Sequence, residues 1–203
     1  MAERAAIGAG TRVLDVGCGT GSFSAFASAR GAFVAGVDLD PDRIAAARAR
    51  VPAGDFEIGY MEQLPWTDGA FDVVTGFNAF QYALDVPVAL AEAVRVSRGC
   101  VAVCKYGNPR ENEFFAFLAA LHPDRFDLAR LPRTDDVDRA LERYELRDHG
   151  VIASEMAFAD DAALTQAVEH PGAIAAAAGR RRPDGSYRFA QPLKYRIIDA
   201  RPS

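Results

Sequence analysis

Val13-Leu14-Asp15-Val16-Gly17-Cys18-Gly19-Thr20-Gly21 decides the fold. An apolar run meets a glycine-rich turn and passes into a helical pattern from Ser22 to Arg30. Strand, tight loop and helix N-terminus in that order are how open α/β sheets build a nucleotide cradle. Lacking a Cβ, Gly17, Gly19 and Gly21 let the backbone take positive φ and lie flat against a ligand that a side chain would push away. Asp15 heads the glycines, where its carboxylate is placed to anchor loop amides or to bond, directly or through water, to a ligand ammonium. It would repel a phosphate. The pattern is D-x-G-x-G-x-G, whereas a pyrophosphate loop wants G-x-G-x-x-G, so a nicotinamide-dependent oxidoreductase is the weaker reading.

Outward from the loop, Phe23, Phe26 and Ala27 share a helical face and Gly31 ends the helix. Phe33 to Val37 is a buried parallel strand with Asp38 at its carboxyl end, about twenty residues after the loop, the spacing at which a carboxylate reaches the vicinal hydroxyls of a ribose. Asp40-Pro41 is an N-cap and first-turn proline for a helix that Pro52 terminates.

VLDVGCGTG resembles motif I of the class I S-adenosylmethionine (SAM)-dependent methyltransferases, of the type 11 methyltransferase-like kind. The resemblance implies SAM as cofactor, with Asp15, Gly17, Cys18, Gly19, Gly21, Asp38, Leu39, Tyr60, Met61, Glu62 and Phe77 as its binding residues. Phe56 to Gly59 reads as the third strand, after which the family commonly places an acid against the adenine amine. Tyr60 stands there instead, so Met61 is left to offer its amide and an apolar face, with Glu62 as a fallback. Ala70 to Phe77 resembles the family's fourth strand, and Asn78, Gln81 and Tyr82 at its carboxyl end are substrate-pocket candidates, together with Tyr106. The D/N-P-P-Y/F motif of nucleic-acid N-methylating enzymes is missing at this place, and Asn108-Pro109 comes one strand too late.

Pro87 to Ser97 reads as a helix, Cys100 to Lys105 as the fifth strand, and Asn108-Pro109 as the cap of a helix carrying Phe114, Phe117, Leu118 and Leu121. Thr134-Asp135-Asp136 caps another. Val151 to Phe158 and Tyr187 to Ile197 complete seven strands, the last alternating like an edge strand with Pro192 inside it. The expected architecture is therefore a single α/β domain over residues 1–203. The resemblance implies its arrangement: a Rossmann-like seven-stranded sheet of order 3-2-1-4-5-7-6, strand 7 antiparallel, with helices on both faces. The stretch 160–179 joins two strands where a short hairpin would serve, which leaves two readings, a loosely held helical lid or a surface decoration packed permanently on the sheet edge.

With 203 residues, half of them apolar, the chain is long enough for one sizeable core. A net charge of −5 spread over both halves leaves no basic face for a nucleic-acid backbone, and Arg180-Arg181-Arg182 reads as a solvated loop. Cys18, Cys100 and Cys104 form neither a disulfide framework nor a zinc pattern, which predicts a reducing cytoplasm and no metal. No run is long enough to span a membrane, and Met1 to Ile7 lacks a signal-peptide core. The expected partner is a small-molecule methyl acceptor, with neither nucleic acid nor membrane; the oligomeric state is not encoded in any motif. Methyl transfer is a direct displacement that needs alignment more than a base, so no catalytic residue is named. His122, His149 and His170 read as helix-end, surface or packing residues. The alternative from another class is a SAM-binding protein without transferase activity.

Overall fold

The computed structural model describes residues 1–107, 112–125 and 134–200. Its large sheet is built from β1 (Arg12–Val16), β2 (Phe33–Asp38), β3 (Asp55–Ile58), β4 (Phe71–Phe77), β5 (Ser97–Tyr106), β6 (Leu146–Ile152) and a last strand, Leu193–Asp199. A second, two-stranded sheet pairs β7 (Glu155–Phe158) with β8 (Tyr187–Ala190), so the last strand of the large sheet is β9. The order in the large sheet is β3-β2-β1-β4-β5-β9-β6. This is the expected order, with β9 in the place of the seventh strand.

The strands β1 to β5 pair in parallel, Asp15 lying level with Gly36 on one side and Thr75 on the other. Parallel strands buried on both faces need unbroken apolar runs, and Val13, Leu14, Val16, Val73, Val74, Val101 and Val103 supply them. The strand β9 runs against β5: Ala200 N donates to Gly99 O and Gly107 N to Pro192 O, so the paired numbers rise on one strand as they fall on the other. Helices α1 (Ser22–Ala29), α2 (Pro41–Arg50), α3 (Val86–Val96) and α5 (Thr134–Leu141) flank this sheet on both faces, α1 packing with α2 and α3 with α5. Asp40 caps α2 as expected, accepting from the amides of Asp42 and Arg43.

The chain divides into two compact units. The first holds Met1–Lys105, Thr134–Gly150 and Tyr195–Ser203; the second holds Tyr106–Arg133 and Val151–Lys194. The second has an apolar cluster of its own, in which Phe114, Phe158, Leu164, Val168, Ala173, Ala177, Tyr187 and Phe189 are buried. These come from α4 (Glu113–Leu121), β7, β8, α6 (Asp161–Val168) and α7 (Ala173–Ala176).

Three expectations are corrected. The stretch Tyr187 to Ile197 is two strands, because Pro192 has no N–H for a ladder and Gln191 N turns aside to donate to Ser154 O. Val151 to Phe158 is likewise divided between β6, which begins at Leu146, and β7. The 160–179 stretch is not loosely packed, since Leu164, Val168, Ala173 and Ala177 are core residues of their unit. The expected helix cap Asn108-Pro109 lies outside the described residues; Asn112 caps α4, its Oδ1 accepting Phe115 N at 3.0 Å.

Candidate functional site

In an open parallel sheet the ligand crevice opens where neighbouring crossovers leave in opposite directions, here at the carboxyl ends of β1 and β4. The glycine loop leaves β1 at this point. Gly17, Gly19 and Gly21 have φ of 64°, 54° and 77°, but they serve different ends. A Cβ on Gly17 would stand 2.6 Å from Ala79 Cβ, and one on Gly21 would stand 3.0 Å from Ala47 Cα. Those two glycines let β4's exit loop and helix α2 come close. A Cβ on Gly19 would meet nothing within 4 Å, so the protein itself does not crowd that position. The space over Gly19 is the cradle.

Asp38 ends β2 facing the loop. Its Oδ2 accepts Gly19 N at 2.9 Å and its Oδ1 accepts Asp40 N at 3.1 Å. Both carboxylate oxygens are thereby oriented while keeping lone pairs for hydroxyl donors. Asp15 is different. It is 2% exposed, and in place of loop amides it takes the hydroxyls of Ser24 at 2.8 Å and Thr75 at 3.4 Å. Burial pushes its carboxyl up to about 7, against the opposing pull of those hydroxyl bonds. Ser24 and Thr75 escaped the sequence reading, although a threonine inside the apolar run of β4 was a legible signal.

The remaining expected residues fall into three sets. Cys18 is buried and its thiol is pushed up to about 12 by burial and then by Asp15 and Asp38, so it offers the crevice backbone and not a nucleophile. Phe77 stacks at 4.2 Å on Phe23, and Asn78 takes φ 51° with its amide donating to Cys104 O. Gln81 and Tyr82 lie in the short 3-10 turn Phe80–Tyr82, Gln81 half-buried and Tyr82 exposed.

From the loops after β2 and β3, Leu39 and Tyr60 are about half exposed, while the Met61 methyl would lie 4.0 Å from a Gly17 Cβ. Glu62 Oε1 is engaged by the amides of Leu84 at 2.7 Å and Asp85 at 3.2 Å, stapling its loop to the start of α3. Tyr106 belongs to the second unit, its ring edge-on to Phe115 at 5.1 Å. The structure thus gathers the loop, Asp38, Leu39, Met61, Phe77 and Asn78 at one sheet edge.

These residues fit SAM: an uncrowded glycine over the cradle, a pre-oriented carboxylate one strand away, and apolar side chains on the following loops. Among the described residues there is no group of three or more His, Cys, Asp or Glu that could hold a metal ion, and no helix long and apolar enough to cross a membrane.

Comparison with known proteins agrees. Residues 14–101 match the family model described as a methyltransferase domain. A malonyl-[acyl-carrier protein] O-methyltransferase of Serratia marcescens is 42% identical over 89 residues, 44% of this chain and 35% of the relative. An uncharacterized protein of Mycobacterium tuberculosis is 35% identical over 131 residues, 62% of this chain and 47% of the relative. The chain spans less than half the length of these curated relatives. Among solved structures, the YcgJ protein of Bacillus subtilis superposes with a TM-score of 0.66 at 21% identity, covering 99% of this chain and 96% of that one.

Proposed function

We propose that this chain, a class I SAM-dependent methyltransferase by its family match and its fold, transfers a methyl group to a small-molecule acceptor. The observation that carries the reading is the pairing of Asp38 with the amide of Gly19, a carboxylate held facing a loop whose central glycine is uncrowded. Bound SAM supplies an electrophilic methyl carbon on a sulfonium. What falls to the protein is to hold donor and acceptor in line and to exclude water.

In this reading Asp38 accepts from the ribose hydroxyls, Leu39 and Met61 flank the adenine, and the Met61 amide serves a ring nitrogen. Tyr60 stands where the family's acid would meet the exocyclic amine, and Glu62 already spends one oxygen on Leu84 and Asp85. Asn78, Gln81 and Tyr82 border the acceptor, with Tyr106 a further candidate, and no side chain is assigned as a base. A cytoplasmic setting, suited to three free buried cysteines, belongs to the same proposal. The Serratia relative's acceptor, a malonyl group on a carrier protein, supports an acceptor that is not a nucleic acid.

Calorimetry with SAM and S-adenosylhomocysteine, followed by product detection over a panel of acceptors, tests it. Asp38→Ala should weaken SAM by about 1.5 to 3 kcal/mol, the range for hydrogen bonds to a charged group. Unchanged affinity in that variant would overturn the site. Tight SAM binding without turnover on any acceptor would instead favour a binding module.

A further inference from the structure

The second unit holds two amide groups that its own hydrogen bonds leave over. Asn112 is 1% exposed and Gln191 5% exposed, yet neither Asn112 Nδ2 nor Gln191 Nε2 has a hydrogen-bond partner among the described residues. The orientation of Asn112 follows from its cap: Oδ1 accepts Phe115 N, so the NH2 is the group left over. The two residues flank a single hydrogen bond, in which Ala190 N donates to Glu113 Oε2 at 2.7 Å; Asn112 precedes Glu113 and Gln191 follows Ala190. Gln191 is further held by its backbone N–H, which donates to Ser154 O at 2.8 Å.

A buried donor without an acceptor is costly, and here two occur within one residue of the same contact. Both are N–H donors beside the N-terminus of the nine-residue helix α4, whose dipole favours negative charge. The formal charges at the spot offset one another, because Glu113 pairs with Arg180. Around them the unit is aromatic: Tyr106 meets Phe115, and Phe114 meets Phe158 and Phe189.

We propose that Asn112 Nδ2 and Gln191 Nε2 form a binding site for an acceptor-only oxygen group, a carboxylate or a ketone carbonyl, carried by a small molecule with an apolar or aromatic body. The site goes beyond methyl transfer and does not rest on it.

Side-chain amide NMR of the whole ¹⁵N-labelled chain is the test, with phenylacetate, acetophenone and benzylamine as probes. The NH2 signals of Asn112 and Gln191 should move together and saturably with phenylacetate or acetophenone. The better of the two names the group. Benzylamine, which brings a donor, should move neither. Asn112→Asp keeps an oxygen for Phe115 N, and so keeps the cap, but replaces the free donor by an acceptor. It should lower probe affinity on the order of tenfold or more, as loss of one such bond does. Gln191→Met removes the other donor at similar length and should raise Tm while weakening the probe; it carries the test if the Asn112→Asp protein fails to fold. No saturable movement with either oxygen probe up to its solubility limit overturns the proposal. So does a Gln191→Met protein that is less stable than the parent, since Nε2 would then have a partner in the protein.

Discussion

Two sets of carboxylates, those beside the glycine loop and those around the second unit's apolar cluster, are held by different partners. In the first unit Asp38 is gripped by the amides of Gly19 and Asp40, and Glu62 by those of Leu84 and Asp85. Around the second unit's cluster guanidinium groups pair with the acids, Glu113 with Arg180, Asp161 with Arg181, and Glu155 with Arg182 and Arg188, Glu113 accepting the Ala190 amide as well. Backbone amides are fixed by the turn or helix start they belong to and give a carboxylate one orientation. Arginine side chains at the surface are mobile and screened, so such pairs contribute little each. The first arrangement suits a site; the second merely fastens loops over an apolar cluster that does most of the stabilising.

The contrast is broken most severely at the glycine loop. Gly17→Val places a β-branched residue at φ 64° with its Cβ against Ala79, and should destabilise the first unit by about 2 to 5 kcal/mol from left-handed strain plus overpacking. Gly19→Val places its Cβ where no protein atom lies within 4 Å and should lose only about 1 to 2 kcal/mol, yet abolish SAM binding. Thermal denaturation beside calorimetry separates the two, and equal losses of stability would contradict the distinct roles assigned to them.

Next in size is a pH effect confined to the first unit. Burial holds the Asp15 carboxyl up at about 7 in the folded protein, well above its ordinary value of 3.8, which the unfolded chain restores. The folded state therefore keeps its proton over a range where the unfolded state has lost it. The resulting stability is full below about 4 and lost as pH rises through about 7. Asp15→Asn does not titrate, so denaturant unfolding at pH 8 should find it more stable than the parent by up to about 4 kcal/mol, with the difference shrinking toward pH 4. Glu113 has the opposite sign: Arg180, then the Ala190 amide, hold its carboxyl below the usual range, so its contribution is present at neutral pH and lost on acidification. A pH-independent gain in Asp15→Asn would show that burial does not raise its carboxyl.

The smallest effect belongs to the second unit's surface pairs. Arg181→Ala breaks a half-exposed pair at 3.4 Å and should cost at most about 1 kcal/mol, leaving SAM affinity unchanged. A loss above about 2 kcal/mol by urea denaturation would rank the arginine pairs with the apolar cluster.

How much of this was legible depends on whether a local pattern carried the information. The run from Val13 to Gly21 and the cap at Asp40-Pro41 followed from short-range signals of period and turn chemistry, while the strand order came from the resemblance that the run carries. The roles of Asp15 were not legible, because its partners Ser24 and Thr75 arrive from a helix turn and a neighbouring strand. The start of β6 at Leu146 was hidden for the same reason: Arg147, Asp148 and His149 look like a polar loop, and what makes them strand is pairing with β9, where Arg147 meets Asp199 and Tyr195 reaches Asp148. Tyr187 to Ile197 alternates with one period through two sheets, so only Pro192 marked the division. The run Arg180-Arg181-Arg182 looked like free charge because its acids, Glu113, Asp161 and Glu155, are scattered along the sequence.

The two amides on Asp38 also bear on how long a bound molecule stays. A carboxylate already fixed on both oxygens has no rotamers to surrender when a ribose arrives, so encounter is governed by diffusion and access to the crevice. Its hydroxyl contacts act only on escape. In stopped-flow measurements the residence time of the nucleoside should shorten when Asp38 is removed, while the rate of arrival stays that of the parent protein.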